Sequence, residues 1–218
     1  WRIYFNILRK TNIKISIIIV NLNTGNILSQ SIKSIYEYET DAELFEVIIV
    51  DQNSSDNSRE IILGLAKVYK NVKYIFNDSL ESFSYANNQG FDKAEGEFVL
   101  IMNPDVVFVE PVLNKMLNIL MNNPDIGAAC PLLLGADGNF QHEYFRKFPG
   151  LMQFLLFYMV FSKPFYYSAK ARRMFYEIAP NLQSGSQEVV EQIPCAFFFT
   201  RYKIYEEVGK MDDKYVLF

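Results

Sequence analysis

Asp105 is the side chain whose position in the sequence most directly indicates chemistry. It closes the tripeptide Asn103-Pro104-Asp105, which interrupts the apolar stretch VLIMNPDVVF at residues 99–108. Because proline has no N–H, it ends the hydrogen-bond ladder of a strand, and the carboxylate is then presented at the strand's carboxyl end. One carboxylate there can hold Mg²⁺ or Mn²⁺, with water and substrate phosphates completing the shell. A simple turn is the alternative, since Asn, Pro and Asp are typical turn residues.

Polar segments of the same kind follow each of four apolar runs. The runs are Ile15–Val20, Phe45–Val50, Val72–Phe76 and Glu97–Met102, and the segments after them are Asn21–Asn23, Asp51–Asn53, Asn77–Ser79 and Asn103–Asp105. Turn chemistry would explain one such segment, because Asn and Asp favour turns in any protein. Four in succession favour a polar site, in which Asp51 or Asn53 can hydrogen-bond the edge of a nucleobase.

Three other polar residues are open to a structural interpretation. Asp56 stands at or near the start of a predicted helix, where a carboxylate is favourable without any ligand. Asn87 and Asn88 fall inside another predicted helix, although Asn is a poor helix former. Two adjacent Asn residues in a helix suggest inward hydrogen bonds, either to a ligand or to neighbouring loops.

The elements that must position these residues alternate between strand and helix. The four apolar runs are predicted strands, and the helices between them are predicted from their apolar periodicity. Thr24 is expected to cap the first helix, with Ile27, Leu28, Ser31, Ile32 and Ile35 inward; the second runs from Ser55 to about Tyr69, with Ile61, Ile62, Leu65 and Val68 inward; the third spans Ser84–Ala94. This β-α-β-α-β-α-β order predicts an α/β fold with a doubly wound, mostly parallel sheet and helices on both faces. In such sheets the ligand lies beyond the carboxyl ends of the strands.

The second half of the chain is less regular. The predicted helices are Val112–Met121, Ser168–Ile178 and Arg201–Val208; the predicted strands are Glu188–Ile193, Ala196–Thr200 and Lys214–Phe218; and Asp137-Gly138-Asn139 is a predicted hairpin turn. With no internal repeat and no clear linker, the sequence predicts one continuous domain over residues 1–218.

Composition and missing motifs exclude several classes of function. The net charge of −4 gives no argument for nucleic-acid binding. Neither GxGxxG nor GxxxxGK[ST] occurs, so the common phosphate cradles are absent from the sequence. The longest apolar run, Leu151–Phe161, is shorter than the roughly 18–20 residues needed to span a bilayer.

We expect a cytoplasmic protein. The basic, acid-free residues 1–36 and the run 151–161 suggest the further hypothesis of peripheral association with the inner face of the cell membrane.

Four motifs in a fixed order give the sequence its resemblance to a known family. They are SIIIVNLN (16–23), VIIVDQNSSDNS (47–58), SYANNQGFDKAEGEFVLIMNPD (84–105) and FRKFP (145–149). Together they resemble an inverting glycosyltransferase of family 2 with the GT-A fold, in its rhamnosyltransferase-like branch. The resemblance extends over roughly residues 14–218.

The resemblance implies a nucleotide-sugar donor, a dTDP- or UDP-sugar, together with Mg²⁺ or Mn²⁺ and a glycan or lipid-linked acceptor. The matching positions imply these roles: Asp51 contacts the pyrimidine base, Asn23 lines the same pocket, Asn87 and Asn88 lie near the nucleoside or diphosphate, Asp105 binds the metal with Asn103 in place of the first Asp of a DxD motif, and Arg146 lies near donor or acceptor. The function implied is transfer of rhamnose or another hexose, with inversion, in cell-surface polysaccharide synthesis.

The same resemblance places the general base just after Phe218, so that the sequence resembles a truncated family member. Residues 14–105 would form the nucleotide-sugar half and residues 106–218 the acceptor-side half. Two other interpretations remain open. One is a non-catalytic nucleotide-sugar-binding fragment, since the base is missing. The other is a sugar nucleotidyltransferase, which normally needs a basic, Gly-rich loop after the first strand. Residues 21–25 (NLNTG) contain no basic residue.

Overall fold

A computed structural model of the chain describes residues 13–139, 147, 148, 150, 151, 155 and 187–215. Six strands and five helices lie within these residues. The strands are β1 (Ile15–Asn21), β2 (Phe45–Asp51), β3 (Val72–Phe76), β4 (Phe98–Met102), β5 (Ala128–Ala129) and β6 (Phe197–Arg201). The helices are α1 (Gly25–Tyr38), α2 (Ser58–Val68), α3 (Phe83–Lys93), α4 (Leu113–Asn122) and α5 (Tyr202–Val208).

All six strands form one sheet in the order β3-β2-β1-β4-β6-β5. The first four strands are parallel, whereas β6 is antiparallel to both β4 and β5. The predicted α/β fold with a mostly parallel central sheet is therefore confirmed. Since β1 lies between β2 and β4, the polar segments after these three strands share the carboxyl edge of the sheet.

Helices cover both faces of the sheet. Tyr36 of α1 packs against Phe45 of β2, with ring centroids 5.3 Å apart, and Phe45 is the register partner of Ile15. Gly90 of α3 lies against Ile18, where an added Cβ would come within 2.4 Å of Ile18 Cγ2. Ile15 and Ile18 point to opposite faces of β1, so α1 and α3 lie on opposite faces.

The amino edge of the sheet is closed by the buried side chain of Glu46. Its Oε1 accepts from Ser16 Oγ at 2.6 Å and from the Glu95 backbone N–H at 2.7 Å, and its Oε2 lies 2.6 Å from Lys73 Nζ. Burial disfavours the charged Lys73, yet hydrogen bonds to Glu46 and Glu95 outweigh this effect and raise its pKa. These internal contacts give the amino edge a structural rather than a ligand-binding character.

Helix boundaries and faces differ from the prediction in three places. The second helix begins at Ser58 rather than Ser55. Thr24 is the N-cap residue of α1, but its side chain makes no cap hydrogen bond and instead donates to Asn21 Oδ1 at 2.7 Å. Ile27 and Val68 were expected inward, yet they are 45% and 70% exposed. Ile27 lies beside the buried face of α1 rather than on it, and Val68 is the last residue of α2.

The chain divides into two compact units, one made of residues 1–129 and 195–218 and the other of residues 130–194. In the second unit, the turn predicted at residues 137–139 is confirmed, with the Gly138 N–H donating to Gly135 O at 2.9 Å. The strand predicted at Glu188–Ile193 is wrong: these residues form no strand, and Val189 is 95% exposed. Three of its six residues are polar, and no strand within the described residues pairs with it.

The strand predicted at Lys214–Phe218 does not begin at Lys214, because a turn is formed there, with the Lys214 N–H donating to Asp212 Oδ1 at 3.0 Å. Residues 216–218, Arg146, most of Leu151–Phe161 and the helix predicted at Ser168–Ile178 lie outside the described residues. Every helix within the described residues is too short or too polar to span a bilayer.

Candidate functional site

Asp51 lies at the centre of the carboxyl edge. It ends β2 directly opposite Asn21, the last residue of β1, and it is only 3% exposed. Its Oδ1 accepts from Asn21 Nδ2 at 2.7 Å and from Ser54 Oγ at 2.6 Å, while its Oδ2 accepts from the Ser54 backbone N–H at 3.1 Å. These contacts fix the carboxylate and use Oδ2 only once, which leaves it able to accept one further hydrogen bond.

Asn23 shapes the loop beside Asp51. Its Oδ1 accepts from the backbone N–H of Ser55 at 2.7 Å and that of Asp56 at 3.4 Å. Asn23 has a positive φ of 53° and Asn53 one of 57°, a conformation that Asn tolerates better than most residues. The two strand ends therefore carry exposed asparagines in matching left-handed conformations. The hydrogen bonds from the backbone of Ser55 and Asp56 to Asn23 Oδ1 explain why α2 begins at Ser58 rather than at Ser55.

Asp56 lies at the start of two helices. Its Oδ1 accepts from the Ser58 backbone N–H, at the first residue of α2, at 3.0 Å. Hydrogen bonds from Ser58, and then from the backbone of Gly25 at the first residue of α1, lower the pKa of Asp56. The structural interpretation of Asp56 is confirmed.

Asp105 lies just after the end of β4, at the same edge of the sheet as Asp51. The turn Asn103–Val106 is closed by the Val106 N–H donating to Asn103 O at 3.3 Å. Helix α1 holds the chain just beyond it, because Ser31 Oγ donates to Val106 O at 2.6 Å and the Phe108 N–H donates to Ser34 Oγ at 2.9 Å. Asp105 itself is exposed. Its carboxylate makes no hydrogen bond or ion pair with any residue that the structure describes.

A second Asn-Pro-Asp tripeptide, Asn123–Asp125, forms the same kind of turn at a different edge of the sheet. It closes in the same way, with the Ile126 N–H donating to Asn123 O at 3.1 Å. It lies at the opposite, amino edge, where Arg201, the register partner of Phe98, donates to Asn123 O at 3.1 Å and Ile126 O at 2.6 Å. The tripeptide alone therefore specifies a turn, and its place on the sheet distinguishes Asp105.

Asp105 is suited to a divalent cation only with help from a ligand. No cluster of three or more His, Cys, Asp or Glu side chains suitable for a metal occurs among the described residues. A single unpaired carboxylate fits the way in which Mg²⁺ is held by one or two carboxylates together with substrate phosphates. The residues present therefore fit a cation that arrives with a diphosphate.

Gln52 is a buried residue that sequence reasoning missed. It is 2% exposed, and its Oε1 accepts from Asn77 Nδ2 at 3.0 Å and from the Glu81 backbone N–H at 3.2 Å. Asn77 Nδ2 also donates to Gln89 Oε1 of α3 at 2.9 Å. This network fixes the loop between β3 and α3 against the end of β2. The signal was its place in Asp51–Asn53, a segment already predicted to be polar.

Arg59 is the other residue that was missed. Its guanidinium lies over the ring of Phe76, 4.4 Å from the centroid, and Phe76 is the register partner of Asp51. Arg59 makes no ion pair with the described residues. It places a cation on the Asp51 side of the sheet at the carboxyl edge.

The adjacent asparagines of α3 have different environments. Asn87 is fully buried; its Nδ2 donates to Phe83 O at 2.8 Å, and its Oδ1 has no hydrogen-bond partner among the described residues. The side chain of Asn88 bonds to Met211, with Nδ2 donating to Met211 O at 2.8 Å and Oδ1 accepting from the Met211 N–H at 3.1 Å. Asn21, Asn23, Asp51, Asn53, Asn103 and Asp105 thus share one edge, whereas Arg146 lies outside the described residues.

Comparison with known proteins agrees with this arrangement. The fold is that of the GT-A glycosyltransferases: the structure of Staphylococcus aureus TarS 1–349 aligns with a TM-score of 0.60 at 16% identity, covering 93% of this chain and 51% of that one. Residues 16–202 match the sequence profile of Glycosyl transferase family 2. The chain belongs to this family.

Two further matches are a curated relative and a second structure of TarS. A Campylobacter jejuni GalNAc(5)-diNAcBac-PP-undecaprenol beta-1,3-glucosyltransferase is 31% identical over 138 residues, covering 62% of this chain and 43% of that protein. S. aureus TarS 1–349 in complex with UDP-GlcNAc aligns with a TM-score of 0.54 at 19% identity, covering 62% of this chain and 39% of that one. The chain thus spans about two fifths of the length of the curated relatives it matches.

Proposed function

We propose that this chain is the donor-binding part of an inverting glycosyltransferase acting in cell-surface polysaccharide synthesis. The whole enzyme would transfer rhamnose or another hexose from a UDP- or dTDP-sugar to a glycan or lipid-linked acceptor. Residues 14–105 form the nucleotide-sugar half of the domain, and residues 106–218 belong to the acceptor-side half. One observation carries the proposal: Asp51 ends β2 and Asp105 follows β4 at the same edge, with β1 between them. Two strand spacings separate those strand ends by about 10 Å, so that base and diphosphate can each meet one acid.

Asp51 recognises the base. Its Oδ2 is free to accept from the N3–H of a pyrimidine, whereas N1 of adenine is itself an acceptor and gains nothing from a carboxylate. Asn21 and Ser54 orient the carboxylate, Asn23 and Asn53 line the pocket, and the guanidinium of Arg59 can donate to a pyrimidine carbonyl. Asn87 supplies a buried acceptor close to the nucleoside.

Asp105 and Asn103 hold the diphosphate end of the donor. Mg²⁺ or Mn²⁺ bound to Asp105 would neutralise the charge that develops on the departing diphosphate. Ser31 and Ser34 keep the Asp105 loop in place, which fixes the donor relative to the acceptor. Inversion further requires a base that deprotonates the acceptor hydroxyl, and the family resemblance places this base after Phe218.

The names of the relatives support the donor and acceptor classes. The structure of S. aureus TarS contains UDP-GlcNAc, which supports a UDP-sugar donor. The C. jejuni relative is named for glucosyl transfer to an undecaprenol-linked glycan, which supports a lipid-linked acceptor.

Calorimetric titration of the chain with UDP, dTDP and ADP, each with and without Mn²⁺, tests the proposal. We expect UDP or dTDP to bind more tightly than ADP, and Mn²⁺ to strengthen binding of the diphosphates. A chain that binds none of the three nucleotides, or binds all three equally without any effect of Mn²⁺, would contradict the proposed donor site.

A further inference from the structure

The segment Lys210–Asp213, which we call the strap, follows α5 and runs along α3. Lys210 pairs with Asp92 near the end of the helix, and the backbone of Met211 bonds to Asn88 in the middle. Ser82, the N-cap residue of α3, donates through its Oγ to Asp213 O at 3.3 Å. The strap thus contacts α3 at three levels in order, from its C-terminus to its N-terminus.

The direction of α3 determines where the strap leads. Just after the end of α3, the Glu95 N–H donates to Glu46 and Ser16, which lie at the amino edge of the sheet. The start of α3 lies at the carboxyl edge, where Gln52 Nε2 donates to Glu81 O at 3.2 Å and Ser82 O at 3.3 Å. Asp213 therefore lies at the start of α3, beside the edge that carries Asp51 and Asp105.

Asn88 has little capacity left for a ligand. Its Oδ1 accepts from the Met211 N–H and from the Tyr205 hydroxyl, the latter at 3.2 Å, so both acceptor positions are used. Burial raises the pKa of Tyr205 to about 12, so its hydroxyl remains a donor at neutral pH. One N–H of the Asn88 amide donates to Met211 O. The carboxamide pairs with the Met211 backbone as a neighbouring strand would.

We infer that Asn88 is a positioning residue that docks the strap on α3 and so holds Asp213 beside the edge proposed as the donor site. Its catalytic consequence rests on the proposed function, because inverting transfer needs a base within hydrogen-bond reach of the acceptor hydroxyl. The family resemblance alone would assign Asn88 to the nucleotide instead. The two assignments predict different effects of Asn88→Ala. A positioning residue predicts a loss of turnover, whereas a nucleotide contact predicts a loss of UDP affinity.

Hydrogen exchange at the Met211 amide tests the docking directly and requires no ligand. In Asn88→Ala we expect this amide to exchange roughly tenfold faster, because its acceptor is removed. Asn88→Asp keeps an acceptor for the Met211 N–H but opposes the Met211 carbonyl with a negative charge, so exchange should be intermediate. Lys93→Ala, an exposed change in the same helix, is the matched control and should leave the Met211 amide as in the parent chain.

Affinity and turnover then separate positioning from nucleotide contact. We expect UDP affinity to change less than about twofold in Asn88→Ala, whereas in the full-length gene product kcat falls about tenfold with donor KM nearly unchanged. A tenfold loss of UDP affinity with an unaltered Met211 amide would overturn the inference. Faster exchange with unchanged kcat would also overturn it. A parent chain that fails to bind UDP would contradict the proposed function, while the exchange result would still decide the docking. If Asn88→Ala does not fold, Asn88→Asp provides the same comparisons.

Discussion

Asn21 and Asp51 lie directly opposite each other at the ends of β1 and β2, and the Asn21 amide donates to Asp51 Oδ1 at 2.7 Å. Both side chains are buried. A neutral donor thus orients the Asp51 side chain, and its Oδ2 keeps one further acceptor position at the carboxyl edge.

Asp51→Ala should remove the preference for pyrimidines. We expect UDP affinity to fall about tenfold or more, as when a hydrogen bond to a charged group is lost, and ADP affinity to change little. The change should also lower the free energy of unfolding by roughly 1–3 kcal/mol, because Asn21 and Ser54 lose a buried acceptor. Calorimetry and urea unfolding measure the two effects. An unchanged ratio of UDP to ADP affinity would show that Asp51 does not recognise the base.

The two Asn-Pro-Asp turns offer a matched pair of variants. Asp105→Asn should abolish the effect of Mn²⁺ on UDP affinity, since the amide removes the negative charge that a hard cation requires. Asp125→Asn changes the same residue type in the same turn at the amino edge and should leave this effect intact. Both variants should unfold within about 0.5 kcal/mol of the parent chain, as is usual for surface substitutions. Equal loss of the Mn²⁺ effect in both would argue against a metal site at Asp105.

Ser34→Ala should weaken Mn²⁺-dependent UDP binding from a distance. Ser34 is 5% exposed, and its Oγ accepts from the Phe108 N–H, so the substitution leaves a buried N–H unpaired at a cost of roughly 1–3 kcal/mol. The loop that carries Asp105 would then be less well fixed. Ser29→Ala, in the same helix but without such a hydrogen bond, is the control. Lost stability with unchanged Mn²⁺ dependence would limit Ser34 to a structural role.

Two helical glycines should respond to alanine in opposite directions. A Cβ at Gly90 would lie 2.4 Å from Ile18 Cγ2 beneath α3, whereas nothing lies within 4 Å of a Cβ at Gly64 in α2. Gly90→Ala should destabilise the fold by about 1–3 kcal/mol through overpacking, and Gly64→Ala should stabilise it by up to about 1 kcal/mol through helix propensity. Thermal unfolding of both variants checks the signs. A stable Gly90→Ala would mean that α3 can move away from β1.

The lowered pKa of Asp56 predicts a pH dependence of stability. A carboxyl group whose folded pKa is below its usual value of about 3.9 stabilises the fold above that pH, and this contribution is lost as the pH falls through the folded pKa. Urea unfolding from pH 7 to pH 2 should therefore show that Asp56→Asn is less stable than the parent chain near neutrality. The difference should shrink below about pH 4. Asp125→Asn controls for the loss of one exposed carboxylate. A constant difference across the range would contradict the assignment.

The strands of the first half could be predicted from the sequence because β1, β2 and β4 are apolar on both faces, which is typical of central parallel strands. The place of β6 could not. Its apolar run was recognised, but its insertion beside β4 in the antiparallel direction depends on contacts between residues about 100 positions apart, such as Leu100 with Phe199. The run at Glu188–Ile193 was also predicted to be a strand but contains three polar residues and forms none.

For the candidate site, the sequence predicted which edge of the sheet would be polar, but it did not show which polar side chains bond to one another. Asn23, Asp51 and Asp105 were identified from their positions after strands. The adjacent Asn87 and Asn88 indicated hydrogen bonds to a ligand or to a neighbouring loop, but not that Met211 is the partner of Asn88. No local pattern indicates the bond of Gln52 to the Glu81 backbone. Side chains that support the site were therefore harder to identify than those that face it.

Asp56 has a consequence for how any nucleotide can be held. The first turns of α1 and α2 offer backbone N–H groups of the kind that bind phosphate in many nucleotide-binding proteins. Here the carboxylate of Asp56 accepts hydrogen bonds from these turns and so acts as a built-in substitute for a phosphate. A diphosphate arriving at this place would have to compete with a covalently attached anion of the same charge sign. Asp56 thereby occupies the starts of α1 and α2, so that a cation held by Asp105 beyond β4 would be needed to balance the negative charge of the proposed donor.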